Sequence, residues 1–150
     1  MKLIAGAEAK PLDEKLCLAL YSASRAMTAR YRDPLAPLGL TYPQYLVMVL
    51  LWEDGHSSVG QIGARLRLES STLSPLLKRL EMMGLVHRSR DPQDERSVVV
   101  ALTRQGRVLE RRAVGVASQI CDAAGLSLEE QGELVAEIKA LTAKLTAVRA

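Results

Sequence analysis

Between Ser58 and Leu102 the spacing of apolar residues changes from the period of a helix to that of a strand, which limits the folds open to the chain. Val59, Ile62 and Leu66 set an apolar stripe over Ser58 to Leu66, which reads as a short helix. A turn at Arg67 to Ser70 leads into a second helix, Ser71 to Met83, ended by Gly84 at the usual cap position. On that helix Leu73, Leu76, Leu77, Leu80 and Met83 recur at helical spacing, while Ser71, Ser74, Pro75, Lys78, Arg79 and Met82 fall opposite. Pro75 has to lie near the helix start, because deeper in it would break the hydrogen-bond ladder. Leu85 to Arg90 and Ser97 to Leu102 are β-like, and the turn-forming stretch Asp91-Pro92-Gln93-Asp94-Glu95 joins them as a hairpin.

Helices flank this unit. Leu12, Leu16, Leu20, Ala23 and Met27 predict a first helix over 12–33, broken by Asp33-Pro34, Pro37 and Gly39. A second runs from Pro43 to Trp52, closed by Asp54-Gly55. Two more, about 103–124 and 128–148, finish the chain, the last opened by a capping box of Ser127 and Glu130. Along it Leu134, Ile138, Leu141, Leu145 and Val148 form a seam suited to a partner helix, or to the chain's own first helix.

A chain of 150 residues is the size of one typical domain. With 48% hydrophobic and 25% charged residues it reads as globular and soluble. Aromatics are 3% and Phe is absent, so Leu, Ala, Val and Met must fill the core, which suits helices. The longest apolar run, Leu46 to Trp52, is too short to span a bilayer, and neither a signal pattern nor a lipidation motif opens the chain. The expectation is a cytoplasmic protein with no membrane partner. Cys17 and Cys121 are too few for a disulfide scaffold and lack metal-ligand spacing; His56 and His87 are isolated. No metal or cofactor is expected.

Net charge is +3, and it is unevenly spread. Arg65 to Arg112 holds eleven Lys/Arg against six Asp/Glu, whereas the remainder is slightly acidic. Positive charge concentrated on one part of a fold suits a phosphate-bearing partner. Helix, short turn, amphipathic helix and hairpin predict a winged helix-turn-helix over about 54–102, in a mainly α protein with a small β-hairpin. Ser71, Thr72 and Ser74 sit near the second helix's N-terminus, where the dipole favours anions, and Lys78 and Arg79 extend that face toward a major groove. At the hairpin tip Arg96 is placed to reach backbone or an adjacent minor groove.

The string Leu66-Arg-Leu-Glu-Ser-Ser-Thr-Leu-Ser-Pro-Leu-Leu-Lys-Arg-Leu-Glu-Met-Met-Gly-Leu85, with Arg88-Ser-Arg-Asp-Pro-Gln-Asp-Glu-Arg96, closely resembles the MarR family of transcriptional regulators. The resemblance implies that Ser71 to Met83 is a recognition helix and that Arg88, Arg90, Asp94 and Arg96 belong to a DNA-contacting wing. It also implies one domain over 1–150, dimerised through helices at about 10–53 and 103–150, on a pseudo-palindromic double-stranded DNA operator.

Around Leu16-Cys-Leu-Ala-Leu-Tyr-Ser-Ala-Ser-Arg-Ala26 the chain is similar to the organic-hydroperoxide-sensing branch of that family, the OhrR-type repressors. The likeness implies that the peroxide oxidises Cys17, and that Cys121 stands where some members place a second cysteine that forms a disulfide between subunits. Tyr31 and Tyr42 match two tyrosines whose hydroxyls hydrogen-bond the reactive sulfur across the dimer. At Leu18 the chain departs from the branch, where Phe is common, which alters the shape of a peroxide pocket without removing the thiol. Physical chemistry agrees: a peroxide-reactive sulfur must be a thiolate, and hydroxyl donors stabilise that form. Cys17 and Tyr31, fourteen residues apart on one helix, stand roughly 21 Å apart, so only a second chain can bring them together.

The residues also admit other readings. Cys17 and Cys121 also fit as small core residues, and Tyr21 and Tyr45 as structural or pocket-lining ones. A regulator of the same family that releases DNA on binding a small aromatic ligand, without thiol chemistry, is the main alternative. A thiol peroxidase enzyme is a further alternative, but the chain lacks the alternating strand-helix pattern and the Cys-x-x-Cys motif that would support it.

Overall fold

The computed structural model describes residues 11–147. A single 3₁₀ turn, Leu12–Glu14, precedes helix α1 (Leu16–Arg30). The sequence predicts one helix over 12–33, and the structure shortens it at both ends. Lys15 is extended (φ −81°, ψ 123°), so the helix starts after it. At the other end Pro34 has no N–H to give the Arg30 carbonyl, and the ladder stops there. A short helix, α2 (Arg32–Leu35), and a 3₁₀ turn, Ala36–Leu38, then lead to Gly39 at φ 68°.

Helix α3 (Tyr42–Asp54) is longer than expected at both ends. Thr41 and Gln44 close a capping box on its first turn. Its buried residues Tyr45, Val47, Met48, Leu50 and Leu51 run along the middle of the core. Strand β1 (His56–Ser58) follows, then α4 (Val59–Leu66) and α5 (Ser70–Met82). Leu85 N–H reaches the Leu80 carbonyl and Gly84 N–H the Glu81 carbonyl, so a left-handed Gly84 closes α5 as the sequence implies.

Strands β2 (Val86–Arg90) and β3 (Val98–Leu102) form the expected hairpin, pairing Arg88 with Val100. The sheet, however, has three strands in the order β1-β3-β2, with Ser57 opposite Val100. His-Ser-Ser carries no apolar alternation, so its pairing comes from tertiary context rather than pattern.

Helix α6 (Arg104–Ala113) and helix α7 (Val116–Ala123) replace the single helix expected over 103–124. The break is at Val114, which turns extended, and Gly115, whose φ of 88° suits glycine alone. Helix α8 (Leu128–Ala147) begins with the Ser127/Glu130 capping box, and Val148 of its apolar seam lies outside the described residues.

The core gathers Leu35, Met48, Leu51, Ile62, Leu73, Leu77, Leu80, Val86 and Val100. Trp52 Nε1 donates to the Gly106 carbonyl at 2.9 Å, tying α3 to α6. A Cβ on Gly106 would stand 2.1 Å from the Leu85 carbonyl oxygen, so only glycine lets α6 lie this close to the base of the hairpin.

Candidate functional site

Helix α5 presents two contrasting faces. Leu73, Leu76, Leu77 and Leu80 are buried, and Ser71, Thr72, Ser74, Lys78 and Arg79 are exposed on the other side. Pro75 is the sixth residue of the helix, deeper than the sequence argument allows. Its missing N–H leaves the Ser71 carbonyl without a helical donor, and because Ser71 is exposed, water can satisfy it. The turn before α5 puts Arg67 at φ 53°, the one non-glycine with positive φ among the described residues. Glu69, at the N-cap, makes no side-chain hydrogen bond, which leaves the first N–H groups of α5 open.

The hairpin projects beside this helix. Asp94 Oδ1 accepts the Arg96 N–H at 3.1 Å and Asp91 Oδ1 accepts that of Gln93 at 2.9 Å, so both acids shape the tip that carries Arg96. Arg90 and Arg96 are exposed. Arg88 is held by Glu81 of α5, whose carboxyl lies below its ordinary range because the Arg88 guanidinium hydrogen-bonds it. Ser74, Arg88, Asp94 and Arg96 line one open cleft of about 510 Å³, together with Ser58 and Gly60 from the start of α4. The sequence reading did not include those last two residues. Ser58 alone carried a signal, the Ser58/Gln61 spacing of a capping box, which the structure forms.

A second cluster lies away from the wing. Tyr31 packs on Tyr42 with ring centroids 4.6 Å apart, and on Tyr45 at 5.7 Å. Burial pushes the Tyr31 phenol up to about 12, with further contributions from Tyr42, Tyr45 and Cys121. Burial also raises Tyr42 and Tyr45. All three phenols therefore stay protonated near neutral pH and can donate hydrogen bonds. Cys121 on α7 is half-buried. Cys17 is exposed near the start of α1, a free thiol like Cys121. Because α1 is continuous to Arg30, Cys17 stands roughly 21 Å from Tyr31 within one chain. Tyr45 joins the cluster, while Tyr21 lies apart and accepts a hydrogen bond from Arg25.

The terminal helices are the most exposed part. Neither α1 nor α8 has a buried residue, and Leu134, Ile138 and Leu145 are 45%, 43% and 62% exposed. Among the described residues no single helix is long and apolar enough to cross a membrane. No group of three or more His, Cys, Asp and Glu among them is arranged to hold a metal ion.

A helix with an exposed polar and basic face, braced by α4 and flanked by a β-wing, defines a winged-helix DNA-binding protein. Residues 40–98 match the MarR family model. Over 128 residues the chain is 44% identical to the organic hydroperoxide resistance transcriptional regulator of Bacillus subtilis (strain 168), covering 85% of this chain and 84% of that protein. It is also 44% identical over 136 residues to the HTH-type transcriptional regulator TtmR of Methylorubrum extorquens (strain PA1), covering 91% and 70%. The structure of reduced AbfR bound to DNA is similar at TM-score 0.78 and 33% identity, covering 93% of this chain and 95% of that one. AbfR of Staphylococcus epidermidis has also been solved in a disulfide form, similar at TM-score 0.64 and 34% identity over 87% of this chain and 92% of that one. The chain belongs to the MarR family: it is a DNA-binding transcriptional regulator and not an enzyme.

Proposed function

We propose that the protein is a homodimeric cytoplasmic repressor that senses organic hydroperoxides through Cys17 and then releases its operator. The exposed residues Ser71, Thr72, Ser74, Lys78 and Arg79 read a major groove, and the wing that carries Arg88, Arg90, Asp94 and Arg96 lies against backbone or minor groove. Helices α1, α7 and α8 form the dimer interface, which brings two heads to the two half-sites of a pseudo-palindromic operator.

The observation that carries the sensing function is the cluster of Tyr31, Tyr42 and Tyr45, with Cys17 exposed at the far end of the helix that leads to Tyr31. In a dimer with antiparallel first helices, Cys17 of one subunit meets the protonated phenols of the other, which stabilise its thiolate. The thiolate attacks the hydroperoxide, leaving a sulfenic acid and releasing the alcohol. Cys121 of the partner subunit condenses with that acid, forming the disulfide and expelling water. Closing the disulfide shifts the terminal helices and moves the heads off their half-site spacing.

A duplex operator selected by the wild-type protein from a random pool serves as the probe. Addition of cumene hydroperoxide releases the wild type from it and leaves Cys17→Ser bound. If Cys17→Ser is released as readily, the thiol plays no part. That result would favour the second reading, a repressor released by a small ligand. Its support is an open cleft of about 590 Å³ beside Tyr42, lined by Arg25, Thr28 and Arg32 among others.

A further inference from the structure

Glu81 is an odd residue to find on α5. It lies three residues from Lys78 and seven from Ser74, so helical spacing puts its carboxylate on the side of the helix that reads DNA. An uncompensated carboxylate there would repel phosphate. The structure compensates it fully. Oε2 of Glu81 accepts from Nε of Arg88 at 2.9 Å and from Nη2 at 2.7 Å, while Oε1 accepts the Arg88 main-chain N–H at 3.1 Å. The main-chain contact matters most. β2 is an edge strand of the β1-β3-β2 sheet, so its outward N–H groups have no strand partner. One helix side chain thus grips both the backbone and the side chain of the wing strand. Among the described residues Lys78, Arg79, Arg90 and Arg96 make no ion pair, so Arg88 differs from every other cation of this surface.

The geometry points to Glu81 as a positioning residue for DNA recognition: by clamping Arg88 it fixes the wing's angle to the recognition helix. Arg88 then acts as a strut inside the DNA-reading surface and not as a phosphate ligand. The two DNA-contacting elements, Ser71 to Arg79 and the tip around Arg96, must enter adjacent grooves together. Otherwise the wing is held at its base, by the turn at Gly84 and Leu85, by Val86 and Val100 in the core and by β1, so the clamp is what fixes β2 further out against α5. This inference rests on DNA binding alone and is independent of the thiol chemistry.

The test is a salt titration of binding to the operator selected by the wild type, with Glu81→Gln, Arg88→Gln, Arg88→Lys and the double variant Glu81→Gln/Arg88→Gln. Binding by the wild type establishes the reading surface before any variant is compared. A strut predicts that all three single variants lose affinity alike, roughly threefold to tenfold, because lysine cannot make the forked contact. The double variant should be no worse than either single one. The slope of log affinity against log salt should stay at the wild-type value in each. A phosphate-binding Arg88 gives the opposite pattern: Arg88→Gln flattens the slope by about 0.9, Arg88→Lys keeps it, and Glu81→Gln binds more tightly. That pattern overturns the inference, as does unchanged affinity in Glu81→Gln. Circular dichroism of each variant separates a pivoting wing from an unfolded head, and an unfolded Arg88→Gln leaves the comparison to Arg88→Lys.

Discussion

The head and the terminal helices of this chain obey different rules. From Leu35 to Val116 the buried leucines, valines and methionine of α3, α4, α5 and the sheet close over one another, and α3 and α4 each open on a capping box. In α1 and α8 no residue is buried, although both carry apolar residues at helical spacing. The head is finished by its own contacts. The terminal helices are finished only by another surface, and the proposed one is a second copy of the chain. The division has a functional sense: an element whose stability depends on a partner can be shifted by chemistry at that partner, while a self-sufficient head keeps its DNA-reading geometry.

The difference is broken most severely in the head. Leu80→Ala removes a fully buried side chain at the base of α5 and should lower unfolding free energy by about 2–5 kcal/mol, read by urea denaturation. A cost below about 1 kcal/mol would mean that the head is not close-packed there. In α8, Ile138→Asp puts a charge on a face that is 43% exposed in the single chain. Its helix should survive by circular dichroism, while dimer dissociation rises roughly a hundredfold by sedimentation equilibrium. Unaltered association would remove α8 from the interface.

The smallest effect lies at the join, in Tyr31. Its phenol should ionise at about 12 instead of 10 in an ultraviolet titration of the folded protein. The unfolded chain releases this proton from about pH 10, so Tyr31's contribution to stability is complete below 10 and is lost as pH rises to about 12. Tyr31→Phe should abolish that late phase of the titration; its persistence would assign the phase to Tyr42 or Tyr45.

Much of the head was legible because its signals are local. Leucine spacing on α5, Gly84 after it and the Asp91-to-Glu95 turn each specify their own geometry. Strand β1 was not legible, since His-Ser-Ser becomes a strand only when β3 lies beside it. The break at Gly115 was also missed, because Val-Gly-Val inside an apolar run differs little from a continuing helix. Of the DNA-reading residues, the exposure of Ser71 to Arg79 followed from periodicity, whereas the grip of Glu81 on Arg88 joins residues on two elements and left no periodic trace. Cys17 stood out through its flanking sequence, yet the placing of Cys121 on a separate helix α7 follows only from that unforeseen break.

The central claim is that Cys17 of one chain docks on the tyrosines and Cys121 of another. A mixture of Cys17→Ser and Cys121→Ser proteins, unfolded and refolded together and then treated with cumene hydroperoxide, tests it directly on a non-reducing gel. A reductant-sensitive dimer band in the mixture, absent from either variant alone, is the predicted result. Equal cross-linking in Cys121→Ser alone, or no cross-link in the mixture while its Cys17 is oxidised, would contradict the pairing across subunits.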